Sequence, residues 1–485
     1  MRRVVINPAT RLEGHGKIAI ILDDKGEVQD ALFQTVEFKG FENFCLGRNA
    51  EELPVITSRI CGVCPWAHHM ASVKATDALF DAPPPPTAQK VRDLAYNAFM
   101  VHDHSAVFYA LAAPDLLLSP DTPRAQRNIL ELVKRIGRDT GAKILALRKA
   151  ASEILTITGG RATHPIFGCP GGITRGLNKE DVAAIKERSG QLVELAELTN
   201  KVFEDSVASK KEFVDLFNTE AFVNKSYYSS LVNKEGRVSF LDGDIRVIKP
   251  DGSTYEEFKP SAYLDHFKES SLPWTYMKFP YLKNIGWKGL QEGTDSGVYR
   301  VGPLARFNVT KGFSTPKAQA KFELFHKTLG SPAHQTLAYQ WARVIEILHA
   351  AERVSELVED PELWGTNIRS PIGKPGEGVG AVEAPRGLLI HHYKADEKGL
   401  VTFVNLIVPS THNNSGICLS VKKAAKHLVK GTTIPEPVFN RVEMLYRAYD
   451  PCLACGTHSL PGAMPLKIEL YDTSGKLLKS QSRGI

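Results

Sequence analysis

The segments Arg59-Ile60-Cys61-Gly62-Val63-Cys64 and Asp450-Pro451-Cys452-Leu453-Ala454-Cys455 stand near opposite ends of the chain and hold four of its seven cysteines. A two-residue gap lets both thiolates of a pair reach one metal or one small cluster, and two such pairs can close a four-sulfur site. Spacing alone leaves three readings open: a structural zinc, a redox disulfide within one pair, or a redox metal. Zinc pairs usually sit close in sequence on small knuckles, whereas these lie far apart, and a chain of 485 residues needs no metal merely to fold. Charge precedes each pair, as Arg59 and Asp450, and a histidine follows each, as His68 and His458. Soft thiolates with polar neighbours also suit nickel or iron.

Around these pairs the composition is that of an ordinary soluble protein, 43% hydrophobic and 24% charged, which excludes disordered and fibrous classes. A net charge of +6 is too diffuse to argue for nucleic acid. No apolar stretch follows Arg2-Arg3 as a signal peptide would require, and no run reaches the roughly 18 uncharged apolar residues of a spanning helix. Even Phe99 to Leu118 is interrupted by His102, Asp103, His104 and Asp115. A soluble cytoplasmic chain without a membrane span is expected.

Strands are predicted over 4–38, turning at Asp23-Asp24-Lys25-Gly26. Four prolines, Pro83 to Pro86, separate elements. Helical patterns follow over 88–113, 125–158 and 179–217, the last with Val182, Ile185, Leu192, Ala196 and Phe203 on one face. Strands return near 237–258 with the turn Pro250-Asp251-Gly252, a long helix is predicted over 317–358 behind Thr315-Pro316, and strands recur over 381–408. The class is α+β: a large helical core with small peripheral sheets from the N-terminal, middle and C-terminal regions. Gly376-Glu377-Gly378-Val379-Gly380 lacks the dinucleotide-binding spacing and precedes a strand, so it does not read as a phosphate loop.

Two further segments carry chemistry. Thr10-Arg11-Leu12-Glu13-Gly14-His15 sets a carboxylate in a tight glycine-containing stretch between strands, and Glu383-Ala384-Pro385-Arg386-Gly387 places an arginine straight after a proline. Either alone reads more readily as a surface salt bridge. Together with the cysteine pairs, and with Val408-Pro409-Ser410-Thr411, they resemble the large subunit of nickel–iron hydrogenase, in the family's order and over essentially the whole chain.

That resemblance implies specific roles. Cys61 and Cys452 would be terminal thiolates on nickel, and Cys64 and Cys455 would bridge nickel to an iron carrying carbon monoxide and cyanide. Arg386 and Ser410 would hydrogen-bond the cyanides and, with Pro385, wall the iron pocket. Glu13 would relay protons from the Cys452 thiolate; Glu42, His458 and the Leu406 carbonyl would hold a magnesium-type ion; Asp115 and Asp450 would sit near Arg386. The physics agrees: heterolytic cleavage of H2 needs an electrophilic metal and a nearby base, and a guanidinium anchors ligands without losing its proton.

Cys45, Cys169 and Cys418 are singletons, so no iron–sulfur spacing remains for electrons to leave by. The resemblance supplies the exit: an iron–sulfur small subunit holding the clusters, then further electron-transfer subunits, either a heterodisulfide reductase module or a flavin diaphorase. Val36-Glu37-Phe38-Lys39-Gly40-Phe41-Glu42 and Arg300-Val301-Gly302-Pro303 resemble the cytoplasmic multisubunit branch, and Leu111-Ala112-Ala113-Pro114-Asp115 leans toward its methyl-viologen-reducing, heterodisulfide-reductase-linked members. His412 stands where membrane-bound and periplasmic relatives carry tryptophan. The competing readings are a homologue of the complex I quinone-site subunit, which lacks the four cysteines, and a structural zinc scaffold.

The family's maturation protease cuts just after the histidine behind the last cysteine pair. Residues 1–458 would then form the catalytic domain, and 459–485, read otherwise as a terminal strand pair turning at Ser474-Gly475, would be removed.

Overall fold

The computed structural model describes residues 2–431, 433–459, 466–474 and 476–483. Its first sheet follows from the Asp23 turn. The Asp23 carboxylate accepts from the N–H groups of Lys25 and Glu27, each at 2.9 Å, closing the link between β2 (Gly16–Leu22) and β3 (Val28–Thr35). With β1 (Arg2–Ile6) they form an antiparallel sheet in the order β1-β2-β3, where Ile18 opposes Phe33 and both are buried.

The second sheet combines β4 (Tyr227–Val232), β5 (Asp244–Ile248), β6 (Thr254–Phe258) and β7 (Tyr299–Arg300), with β7 parallel to β4. The third is the antiparallel set β8 (Glu377–Ala384), β9 (Gly387–Ala395) and β10 (Val401–Ile407). In the tail, Leu466–Tyr471 pairs with Leu477–Arg483; the turn expected at Ser474-Gly475 includes Gly475, outside the described residues.

Helix α1 (Pro65–Leu79) starts directly after Cys64, with proline at its first position. The helical core joins α2 (Pro86–Val107), α3 (Arg138–Gly159), α4 (Lys179–Phe203) and α5 (Ala338–Leu357), α5 packing on α2 and α4 and α3 on the same two. The five apolar residues expected to line one face of α4 are all buried, and Asn178 and Asp181 cap it reciprocally. Beyond α5, α6 (Asn414–Leu428) packs on α7 (Glu436–Tyr449) and on β3.

Two expectations are corrected. The helix predicted over 317–358 is broken: Pro316–Leu329 ends at Gly330, and α5 begins only at Ala338, because Pro332 cannot continue a helix. The apolar run after α2 does not stay α-helical but continues as π-helical turns over Phe108–Ala112 and Pro114–Leu118. The α+β class itself is what the chain forms, and no helix among the described residues is long and apolar enough to cross a membrane.

Candidate metal centre

Three elements converge on the cysteines. Cys61 and Cys64 lie at the entrance to α1, and the N–H groups of Val63 and Cys64 point at the Cys61 sulfur from 3.2 and 3.3 Å. Cys452 caps the start of the short helix Leu453–Gly456 and Cys455 lies within it, and the Cys452 N–H donates to the Ser410 hydroxyl at 2.8 Å. The N-terminal segment comes third: Glu13 pairs with Cys452 in an isolated parallel bridge, its carbonyl accepting from the Leu453 N–H at 3.0 Å. Gly14 makes this approach possible. It adopts φ +90°, and a β-carbon there would stand 2.8 Å from that of Leu453.

The four sulfurs are buried, with ligand atoms all within 4.8 Å of one another. Cys452 and Cys455 Sγ are 2.8 Å apart, Cys61 and Cys452 Sγ 3.3 Å, and Cys64 and Cys455 Sγ 3.5 Å. Hydrogen bonds from the other three thiols hold the Cys61 thiol well below its ordinary range, whereas burial and neighbouring sulfurs push Cys452 and Cys455 well above theirs. Four buried thiols this close cannot all ionise without a cation among them. That is the donor set of a soft or borderline redox metal.

Glu13 reaches this set: its Oε2 lies 3.0 Å from the Cys452 sulfur and accepts from the Ala454 N–H at 3.0 Å. Burial raises its carboxyl above the usual range. A small cavity beside the cysteines is walled by Ala384, Arg386, Leu389, Pro409 and Ser410, and Cys64, Cys452 and Cys455 line it as well. Arg386 donates from Nε to the Asp450 carbonyl at 2.8 Å and pairs through Nη2 with the Asp450 carboxylate at 2.9 Å. Pro385 does not line the cavity in this structure; its carbonyl accepts from Arg306 at 3.3 Å. Glu383 faces away as well, taking the Leu231 N–H and the Arg306 guanidinium.

Asp115 is not beside Arg386. Its two oxygens pair with Arg11 and with Arg447, the latter at 3.0 Å, at the foot of the N-terminal segment. The second carboxylate flanking Arg386 is Asp103 of α2, at 3.3 Å from Nη1, which burial, partly offset by Arg386, pushes up to about 6. The available signal for Asp103 was a charged residue between two histidines inside an apolar helix, a position that is costly unless paired.

Sequence reading singled out His68 but missed His391 and Tyr393, with which it forms a chain of buried side chains behind Cys455. His68 Nε2 lies 3.3 Å from the Cys455 sulfur, His68 Nδ1 lies 3.2 Å from His391 Nε2, and His391 Nδ1 meets the Tyr393 hydroxyl at 2.5 Å. Burial lowers His68 to about 4, so it is a neutral hydrogen-bonding group. Glu42 and His458 meet at 3.1 Å, and Glu42 also accepts from the Leu406 N–H at 2.8 Å. His458 Nε2 is buried with no partner among the described residues, an orphaned nitrogen beside a carboxylate that suits a cation.

The profile of the nickel-dependent hydrogenase family matches residues 39–127 and 142–458, and a HoxL-like profile matches 3–38. The chain belongs to the nickel-dependent hydrogenase family. Among similar proteins, an iron-sulfur subunit of the F420-non-reducing hydrogenase of Archaeoglobus profundus is 44% identical over 483 residues, covering 99% of both chains. The NAD-reducing hydrogenase HoxS subunit beta of Cupriavidus necator is 39% identical over 499 residues, covering 99% of this chain and all of that one. A crystal structure of an NAD+-reducing NiFe hydrogenase in the H2-reduced state superposes with TM-score 0.88 at 38% identity, covering 94% of this chain and 100% of that chain. As a hydrogenase the chain is an oxidoreductase that uses nickel and iron, and the buried four-thiol set is where they fit.

Proposed function

We propose that this hydrogenase is the catalytic large subunit of a cytoplasmic multisubunit enzyme that oxidises H2 reversibly and passes the electrons to an iron–sulfur small subunit. The observation that carries the reading is the Glu13 carboxylate 3.0 Å from the sulfur of Cys452, on the edge of a buried four-thiol set. Cys61, Cys64, Cys452 and Cys455 would together hold nickel and iron. Bound there, the metal pair supplies the electrophile that polarises H2 for heterolytic splitting and takes up its electrons.

The protein's own groups do the rest. Cys452 Sγ accepts the proton and hands it to Glu13 Oε2, whose burial-raised affinity suits a transient carrier. Glu13 is half-buried, so it can pass the proton outward. Arg386, fixed by Asp103 and Asp450, presents a permanent positive charge to the cavity, and with Ser410 it suits small anionic ligands such as cyanide on the iron, beside carbon monoxide. Glu42, His458 and the Leu406 carbonyl would hold a magnesium-type ion.

The four site cysteines leave no cluster-binding set for electron exit among the described residues, which supports a partner holding the iron–sulfur clusters. Relatives that are subunits of F420-non-reducing and of NAD-reducing hydrogenases support a multisubunit enzyme whose acceptor system is a heterodisulfide reductase module or a flavin diaphorase. Residues 1–458 would be the mature chain, released by a maturation protease.

Metal analysis and infrared spectroscopy of the purified complex test this reading. Stoichiometric nickel and iron with carbon monoxide and cyanide bands are expected. Stoichiometric zinc without nickel would mark a scaffold protein and overturn it.

A further inference from the structure

Glu13 works only if its carboxylate is delivered to Cys452, and the segment that delivers it has little regular structure of its own. Thr10 to Glu13 crosses between β1 and β2, and Arg11 sits in the left-handed region at φ +56°, a backbone state that a residue with a side chain holds only when its surroundings enforce it. The enforcing groups come from two directions. From α7, Arg447 donates to the Thr10 carbonyl and hydroxyl, each at 3.1 Å, while the Tyr446 hydroxyl accepts the Thr10 N–H at 2.9 Å and donates to its carbonyl at 2.7 Å. From the π-helical turns, the Leu111 carbonyl accepts from Arg11 at 3.0 Å, and Asp115 takes Arg11 on Oδ1 and Arg447 on Oδ2. A third arginine, Arg127, stands 3.7 Å from Oδ1.

Asp115 is therefore the buried carboxylate that locks the Arg11 side chain to the Arg447 clamp, two residues upstream of Glu13. We propose that Asp115, through Arg11 and Arg447, is a positioning residue of the proton path: it holds the Thr10–Glu13 segment in register so that the Glu13 carboxylate meets the Cys452 sulfur. The proposal rests on the reading of Glu13 as proton carrier. The buried Arg447 and the partly exposed Arg11, left without their shared carboxylate, repel each other and release the loop. Displacing a proton acceptor by about 1 Å can cost roughly a hundredfold in rate.

The test uses the complete complex, small subunit included, to compare wild type, Asp115→Asn, Arg11→Gln and Glu13→Gln. Each is assayed for exchange between D2 and water, for H2-dependent dye reduction, for nickel content and for infrared bands. Expected for Asp115→Asn and Arg11→Gln is a fall in exchange of about tenfold or more, with kcat lowered, the KM for H2 unchanged, nickel content retained and infrared bands in place. Asp115→Glu, which keeps the charge, should recover part of the rate. If Asp115→Asn takes up no nickel, Arg11→Gln decides, since Arg11 is partly exposed and its loss leaves the Asp115–Arg447 pair intact. Wild-type exchange in Arg11→Gln, or in metal-replete Asp115→Asn, while Glu13→Gln is slow, overturns the proposal alone. Wild-type exchange in Glu13→Gln overturns the reading of Glu13 and the proposal with it.

Discussion

Gly380 of β8 lies so close to α1 that a β-carbon on it would stand 2.2 Å from the carbonyl oxygen of Ala71. Gly378 repeats the contact one pleat away, at 2.2 Å from the Ala75 carbonyl. Gly378 and Gly380 thus let a strand rest on a helix backbone, and that helix begins directly after Cys64 while the strand leads to Arg386. Gly380→Ala should destabilise the protein by roughly 3 kcal/mol or more, since the opposing atoms are backbone and cannot turn aside. It should also lower nickel incorporation, because α1 can relieve the overlap only by carrying Cys61 and Cys64 with it. Thermal unfolding and nickel content of the same preparation check both effects.

Glu346 marks the buried ionic layer behind Arg386. Both its oxygens take the Arg306 guanidinium, at 2.5 and 2.6 Å, and Arg306 in turn donates to the carbonyls of Ala384 and Pro385. Burial acts to raise the Glu346 carboxyl, but Arg306 and His104 more than reverse this and bring it to about 2. Glu346→Gln should cost about 1–3 kcal/mol, because Arg306 loses one of its two buried carboxylates and keeps Glu383. The sign with pH follows from a folded value below the unfolded one of about 4.3: the contribution is complete above about 4.3 and is lost as pH falls toward 2. Unfolding rates of wild type should rise over that window more steeply than those of the variant, and equal pH slopes would contradict the assignment.

How far the site was legible depended on whether a residue's place follows from local spacing. The two cysteine pairs announce themselves because both members must reach one metal. The core face of α4 follows from a 3.6-residue period that the helix keeps from Lys179 to Phe203. Asp103 and Asp115 show the limit. They sit on one apolar stretch, but the π-helical turns at Phe108–Ala112 and Pro114–Leu118 break the period between them, so the face of Asp115 cannot be extrapolated from that of Asp103. His391 and Tyr393 were illegible for another reason. Alternate residues of a strand share a face, but which face meets His68 is decided by how β9 packs on α1.

Glu13→Gln removes an acid–base group while keeping the shape and the hydrogen bond from the Ala454 N–H. Nickel and iron content should match wild type, and exchange between D2 and water should slow by about a hundredfold or more, the scale of a lost proton-transfer group. Loss of the metals in this variant would make Glu13 a structural residue.

The His458 carbonyl accepts the Glu42 N–H at 3.1 Å, and the Thr457 carbonyl accepts from Lys39 at 3.0 Å, so the expected cleavage point is already docked against residues 39–42. Cutting after His458 would convert that carbonyl into a carboxylate beside the Glu42 side chain, and two like charges at one buried place call for a cation. The orphaned His458 Nε2 is there to share it. Active enzyme should therefore have the intact mass of residues 1–458, and chelation with EDTA should lower its thermal stability while leaving the uncut 485-residue chain unaffected. An active preparation retaining the whole tail would contradict the cleavage, and equal chelator sensitivity of the two forms would contradict the coupling between the new carboxylate and the ion.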